Sequence, residues 1–327
     1  MDWKKIDRRT AISGASAAVI MAMLKGADAA TRVPGALDAS GKFAFAGNQS
    51  ITPLIPDKLY RVGCVVHAER LSWLPADTAA FEPINLYLLV DGGNCVFMEM
   101  GPPVALPALK LAIETVVGDR KVWAAFSRNE ADCIGNMGYI LGTCREPTLL
   151  FGGAGGILEW INDPSVSMLE VRDFLGRIPI VTSKNGESRT IGSFDLSWFD
   201  APLKQMLMTQ WAFERNTGCL FTSESFGFRH METIDSAPVI ENTKNLPKAA
   251  DVAREIVARV NWLREADYPE VAENIEKVFK THDVQIIAPV HGCALKGRSV
   301  IAAHVKVAID ALNIARTIPD FEVASYV

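Results

Sequence analysis

Four short polar loops hold the side chains of this 327-residue chain best suited to metal or acid–base chemistry. The first, Ser127-Arg128-Asn129-Glu130-Ala131-Asp132-Cys133-Ile134-Gly135-Asn136, follows an apolar run at residues 122–126. The second, Pro202-Leu203-Lys204-Gln205, follows residues 196–199, and the third, Ser223-Glu224-Ser225-Phe226-Gly227, follows residues 218–222. The fourth, His291-Gly292-Cys293, follows residues 286–290. Sheet-based enzymes place their reactive groups on loops at strand ends. Each loop alone has a bland explanation, because an acidic loop residue is usually solvated and a lone histidine is more often structural than a ligand.

The elements that must position these loops follow from hydrophobic patterning. Residues 59–66 read as a strand, and 85–90 and 95–100 as two more joined by the hairpin signal Asp91-Gly92-Gly93. A helix is expected over 107–117, with proline in its first turn and Gly118 at its end. A buried strand at 122–126 and a helical stretch over 132–141 come next. Residues 148–221 read as short strands broken by Gly, Pro and Asp. Helical periodicity marks 249–263, 269–279 and 298–315, with a buried strand at 284–290. Strand clusters followed by helix–strand alternation in each half predict two sheets sandwiched between helices. The run Phe151-Gly152-Gly153-Ala154-Gly155-Gly156 lacks the Gly-Lys-Ser/Thr ending of a phosphate loop, and the third glycine of a dinucleotide fingerprint falls on Leu158. It reads as a turn between strands.

Composition removes several classes. A net charge of -5 argues against a nucleic-acid partner. No apolar stretch reaches the roughly 20 residues of a membrane-spanning helix. Six cysteines without a Cys-x-x-Cys pair make a disulfide framework or zinc ribbon a poor reading. At the N-terminus, Lys4, Lys5, Arg8 and Arg9 precede an uncharged run from Thr10 to Leu24 and the A-x-A-like Ala27-Asp28-Ala29-Ala30. Residues 1–30 therefore read as a twin-arginine export segment and a periplasmic protein, with a cytosolic helix in a cytoplasmic protein as the alternative. Residues 31–54 read as a linker or arm.

Taken in order, the four loops resemble the β-lactamase-like domain of flavodiiron proteins and related oxygen-binding diiron proteins. That family carries His-x-Glu-x-Asp-His-x-Gly, a His after a proline, a carboxylate within Leu-Phe-Ser-x-Asp-x-Phe-Gly, and Pro-x-His-Gly. The corresponding stretches are Arg128 to Gly135, Pro202 to Gln205, Leu220-Phe221-Thr222-Ser223-Glu224-Ser225-Phe226-Gly227, and Pro289-Val290-His291-Gly292. The resemblance covers roughly residues 55–325 and implies a four-layer αββα metallo-β-lactamase-like sandwich as one domain over 55–327. It also implies where metal would sit. The first iron position would hold Arg128, Glu130 and Gln205 beside the bridging Glu224, but an arginine has no lone pair and repels a cation. Its guanidinium is expected to pair with Glu130 in place of that metal's charge. The second position would hold Asp132, Cys133, Glu224 and His291, all able to ligate. The site is thus expected to be degenerate and at most mononuclear, with iron first, and zinc or no metal as alternatives.

Three functions compete. The first is a redox or oxygen- or nitric-oxide-binding protein, expected to need an external electron donor, since neither a flavodoxin domain nor bound flavin is expected of this chain. The second is metal-dependent hydrolysis of an ester, lactone or thioester; the pattern His-x-His-x-Asp-His is absent, and Glu130 stands where its second His belongs. The third is a metal-free binding or assembly subunit. Family resemblance also implies a head-to-tail homodimer. His67 and His230 are expected near the mouth in surface or structural roles. Cys293, two residues past His291, is read as a candidate partner of Cys133 in a disulfide or as a shared thiol ligand, with inert buried thiols as the alternative.

Overall fold

A computed structural model describes residues 50–321 apart from 69–70, 153–177, 184, 207 and 267. The export segment, residues 31–49 of the arm and the glycine turn after Gly152 lie outside the described residues.

Two seven-stranded sheets make the frame. The first runs in chain order: β1 (Ser50–Ile55), β2 (Leu59–His67), β3 (Phe81–Val90), β4 (Asn94–Met98), β5 (Lys121–Phe126), β6 (Thr148–Gly152) and β7 (Ile180–Ser183). Pairing is antiparallel from β1 to β4 and parallel from β4 to β7. The second sheet is formed by β8 (Ser188–Ile191), β9 (Phe194–Asp200), β10 (Gln210–Glu214), β11 (Cys219–Phe221), β12 (Val239–Ile240), β13 (Ile286–Ala288) and β14 (Ala294–Lys296). Its order is β12-β14-β13-β11-β10-β9-β8.

Alternation along the strands creates the layers. In β3, Leu86, Leu88 and Val90 join an apolar cluster with Ala108, Leu109, Met137 and Ile140. The intervening Tyr87 and Leu89 face the other sheet, where they pack with Leu196, Trp198, Phe221 and Ile286. Both faces are buried, which explains why β3 and β4 read as continuous apolar runs. Helices α1 (Leu106–Ala112, continued by a π turn, Ile113–Val117), α2 (Ala131–Ile134) and α3 (Met137–Thr143) cover the first sheet. Helices α4 (Ala249–Arg259), α5 (Tyr268–Thr281) and α6 (Arg298–Ile314) cover the second. The result is the αββα metallo-β-lactamase-like sandwich.

Several boundaries differ from the sequence reading for local reasons. Ser50–Ile55, which begins inside the expected arm, is an edge strand; Pro53 is tolerated there beside a register shift. The helix expected over 132–141 is two short helices. Asn136 separates them by donating its side-chain NH2 to the carbonyls of Met100, Gly101 and Pro102, which ties the loop after β4 beneath the break. The strand β4 stops at Met98 because Glu99 takes a left-handed φ of 68°. No helix among the described residues is long and apolar enough to cross a membrane.

Candidate functional site

The first, third and fourth polar loops leave the ends of β5, β11 and β13, and β11 and β13 run parallel, so their following loops emerge at one edge. Glycine then brings these two loops into backbone contact. Gly292, with φ 80°, approaches the Gly227 carbonyl so closely that a Cβ would lie 2.4 Å from its oxygen. At Gly227 a Cβ would lie 2.5 Å from the His291 carbonyl oxygen. Any side chain at either position would drive the loops apart. Asn85 completes the brace by donating from Nδ2 to the carbonyls of Pro289 (2.9 Å) and Gly292 (2.7 Å), while the Tyr87 hydroxyl also donates to Pro289. The buried Arg61 holds the Asn85 amide in register through Nε.

A cleft of about 540 Å³ opens at this edge, lined by Ser72, Trp73, Arg128, Asp132, Glu224 and His291 among others. Arg128 is its centre and is only 3% exposed. Its Nε donates to Glu130 at 2.6 Å, Nη1 to the Ser223 hydroxyl, and Nη2 to Asp132; the Glu224 carboxylate lies 3.9 Å from Nη2. The guanidinium therefore serves both expected metal positions, not only the half containing Glu130. Burial opposes its charge, but Asp132 foremost, with Glu224 and Glu130, raises its pKa well above the ordinary value. Burial likewise opposes ionisation of Asp132, yet Arg128 and the His291 hydrogen bond (Nε2 to Oδ2, 2.7 Å) hold that carboxyl well below the usual range.

The remaining expected ligands are placed differently. Gln205 is exposed and meets the site through its backbone, whose N–H donates to Glu224 Oε1 at 2.7 Å. Cys133 packs into the apolar cluster beneath the first sheet, with its sulfur 3.8 Å from the Ser127 hydroxyl. Burial pushes its thiol well above the ordinary pKa, so it is protonated at neutral pH. Cys293 sits in another cluster, with Val65 and Met231, and both cysteines are free thiols, so the expected pairing is not formed.

Glu99 and the carboxylate partners of His230 gave no sequence signal. Glu99, a charge inside an apolar run, is buried under the first loop and accepts the Ser127 N–H on both oxygens at 3.1 Å. Burial pushes its carboxyl up to about 7. Beside the cleft, His230 lies between Glu82 (from Nδ1) and Glu255 (from Nε2, 2.9 Å), and Arg259 donates to Glu82 at 2.8 Å. Burial alone would lower the His230 pKa, but the two carboxylates push it up to about 10. His230 is thus structural, as one reading allowed, but not a surface residue.

The donor set does not fit a metal ion. Among the described residues no group of three or more His, Cys, Asp or Glu side chains is arranged to hold one. The physical reason is Arg128, whose fixed positive charge sits among these carboxylates, bonded to Glu130 Oε2 and Asp132 Oδ2, where an ion would have to lie.

No family model and no curated protein matches the chain in sequence. Solved structures do match in fold. The rubredoxin oxygen:oxidoreductase of Desulfovibrio gigas superposes with a TM-score of 0.59 at 15% identity, over 81% of this chain and 61% of that one. A diflavin flavoprotein A 5 fragment from Nostoc gives 0.58 at 14% identity, over 82% of this chain and 98% of that fragment. The flavodiiron protein of Giardia intestinalis gives 0.51 at 14% identity, over 80% and 59%. This chain thus carries the metallo-β-lactamase-like fold of flavodiiron proteins and matches about three fifths of the length of the full-length Desulfovibrio and Giardia chains.

Proposed function

We propose that this domain is a metal-independent binding protein built on the flavodiiron type of fold, with Arg128 as the fixed cation of its cleft. The observation that carries this reading is the guanidinium bonded to Glu130, Asp132 and Ser223 and lying 3.9 Å from Glu224. Clustered carboxylates without a cation would raise one another's pKa and strain the fold. A metal is one remedy, and a buried arginine is another. The second cannot be lost to a chelator or exchanged. Fold likeness does not transfer the neighbours' chemistry, because one fold hosts many activities.

The competing reading keeps a single iron among Asp132, Cys133, Glu224 and His291 and serves oxygen or nitric oxide with an external electron donor. Metal analysis of protein purified from its native host without added metal, followed by anaerobic reconstitution with ferrous iron, separates the two. The expected result is far less than one ion per chain in both preparations and no optical change with nitric oxide. Stoichiometric iron with a nitrosyl spectrum would overturn the metal-independent reading. A useful companion is Arg128→Ala, which frees the carboxylates and is expected to gain divalent-metal binding that the parent lacks.

A further inference from the structure

The backbone nitrogen that follows an asparagine can close a five-membered ring on the side-chain carbon Cγ. A side chain on that next residue hinders the approach, and glycine hinders it least. Asn185-Gly186 is the only Asn-Gly pair in the sequence. Both residues are exposed, and they form the turn between β7, at one end of the first sheet, and β8, at one end of the second. Gly186 has φ 79°, and a Cβ there would meet nothing within 4 Å.

Two hydrogen bonds tie the reacting atoms to β9. The Gly186 N–H donates to the Trp198 carbonyl at 2.6 Å, and the Asp200 N–H donates to Asn185 Oδ1 at 3.1 Å. Arg189 clamps the base of the turn, donating from Nη2 to the Thr182 carbonyl (3.2 Å) and from Nε to the Ser183 hydroxyl (3.3 Å). The two bonds to β9 act in opposite directions. The Asp200 N–H would stabilise Oδ1 as negative charge develops on it during attack at Cγ. The Trp198 carbonyl holds the proton that the Gly186 nitrogen must lose. This second effect wins, because no ring closes until the nitrogen is free.

We propose that Asn185 is a deamidation site gated by release of its turn from β9. In the open turn the Gly186 nitrogen gives its proton to solvent base and bonds to Asn185 Cγ. The Cγ–Nδ2 bond then breaks, and ammonia leaves with a proton taken from water. Water splits the resulting succinimide at either carbonyl, giving aspartate or isoaspartate, and no other co-reactant is needed. The product places a new negative charge beside Asp200. That residue ends β9 and pairs with Lys204 at 2.6 Å, in the loop that brings the Gln205 N–H to Glu224. The modification therefore acts on the strand end that feeds one wall of the cleft, whether or not the cleft holds a metal.

Timed incubation of the full chain in neutral and in mildly alkaline buffer tests it, with mass spectrometry of the peptide spanning residues 185–189. Asn185 is expected to convert before any other asparagine, and faster in the alkaline buffer. Its conversion in the folded chain is expected to be at least about tenfold slower than in the free hexapeptide Lys-Asn-Gly-Glu-Ser-Arg, because the turn's hydrogen bonds must first open. Arg189→Ala loosens the clamp without touching the reacting atoms. It is expected to speed conversion in the folded chain about threefold and to leave the hexapeptide unchanged. A thermal melt confirms that the variant is folded. Prior conversion of another asparagine, or an unreacted Asn185 in alkaline buffer where the hexapeptide converts, would overturn the site. Equal rates in folded chain and hexapeptide, or in Arg189→Ala and parent, would overturn the gate.

Discussion

The arginine-centred floor of the cleft and the Glu82–His230–Glu255–Arg259 chain beside it hold the same kinds of groups in different proportions. In the second, two carboxylates face two cations, because His230 keeps its proton to a pH of about 10. Every charge there has an opposite partner, and Glu82 is fully buried. In the first, one arginine answers three carboxylates, and Glu130 is 36% exposed. The balanced cluster reads as scaffold: Arg259 also donates to the carbonyls of Glu224 and Gly227, so it pins the loop that carries Glu224. The unbalanced cluster is where charge is left over for something else to meet.

If that contrast is right, the largest effect comes from Arg128. Arg128→Met leaves three carboxylates without their cation and is expected to cost about 3–5 kcal/mol in urea unfolding. A loss within the range of an ordinary surface change would break the comparison at its first term. Glu82→Gln strands Arg259 and His230 together; with its shape kept, the cost is expected near the low end of that range, about 3 kcal/mol.

Titration sharpens the contrast next. His230 has its folded pKa raised from an ordinary value near 6.5 to about 10. Its contribution is complete below about 6.5 and is lost as pH rises through about 10. Glu99 is raised from about 4.5 to about 7, so its contribution is present below the ordinary value and lost as pH rises through about 7. Asp132 is lowered by Arg128, so its contribution is present above the ordinary carboxylate value and lost on further acidification. Stability should therefore peak in mildly acid solution and decline in two steps toward alkali. Unfolding free energies across this range check it. Glu99→Gln should remove the step near pH 7 and leave the one near pH 10.

How much of this was legible in the chain differs between the two clusters for a physical reason. The cleft's charged groups lie on loops whose order and spacing carry information: Arg128, Glu130 and Asp132 share one loop, and Glu224 and His291 follow their own strands. The paired sheets were readable because buried strands such as β3 and β4 are continuous apolar runs, flanked by turn residues. The second cluster joins residues as far apart as Glu82 and Arg259, separated by 177 positions, and only the folded sandwich brings them together. Glu99 was invisible for a related reason, since a single acid inside an apolar run reads as a strand imperfection. Gln205 illustrates a third limit: its position in the order pointed to the site, but it acts through a backbone N–H that any residue except proline would supply. Cys133 fell in a ligand's place in the loop, yet α2 turns its side chain toward the core.

The smallest expected effect is the most discriminating, because the size of the coupling differs between the two clusters. Glu130→Gln removes a carboxylate from a cluster that has two more than its arginine needs, and the lost pair with Arg128 is part-exposed. Screening limits such a pair to about 1 kcal/mol or less, while relief of repulsion from Asp132 and Glu224 offsets it. The net change is expected within about 0.5 kcal/mol of the parent. Combined with Arg128→Met, the same substitution should soften the loss, since fewer stranded carboxylates remain, and the cycle should show a coupling well below that between Arg128 and Asp132. The corresponding pair in the other cluster, Glu82→Gln against Arg259→Met, should couple strongly because both groups are buried and directly bonded. Equal couplings at the two places would mean that Glu130 is as essential as Glu82, and that the cleft floor holds no surplus charge for a ligand to meet.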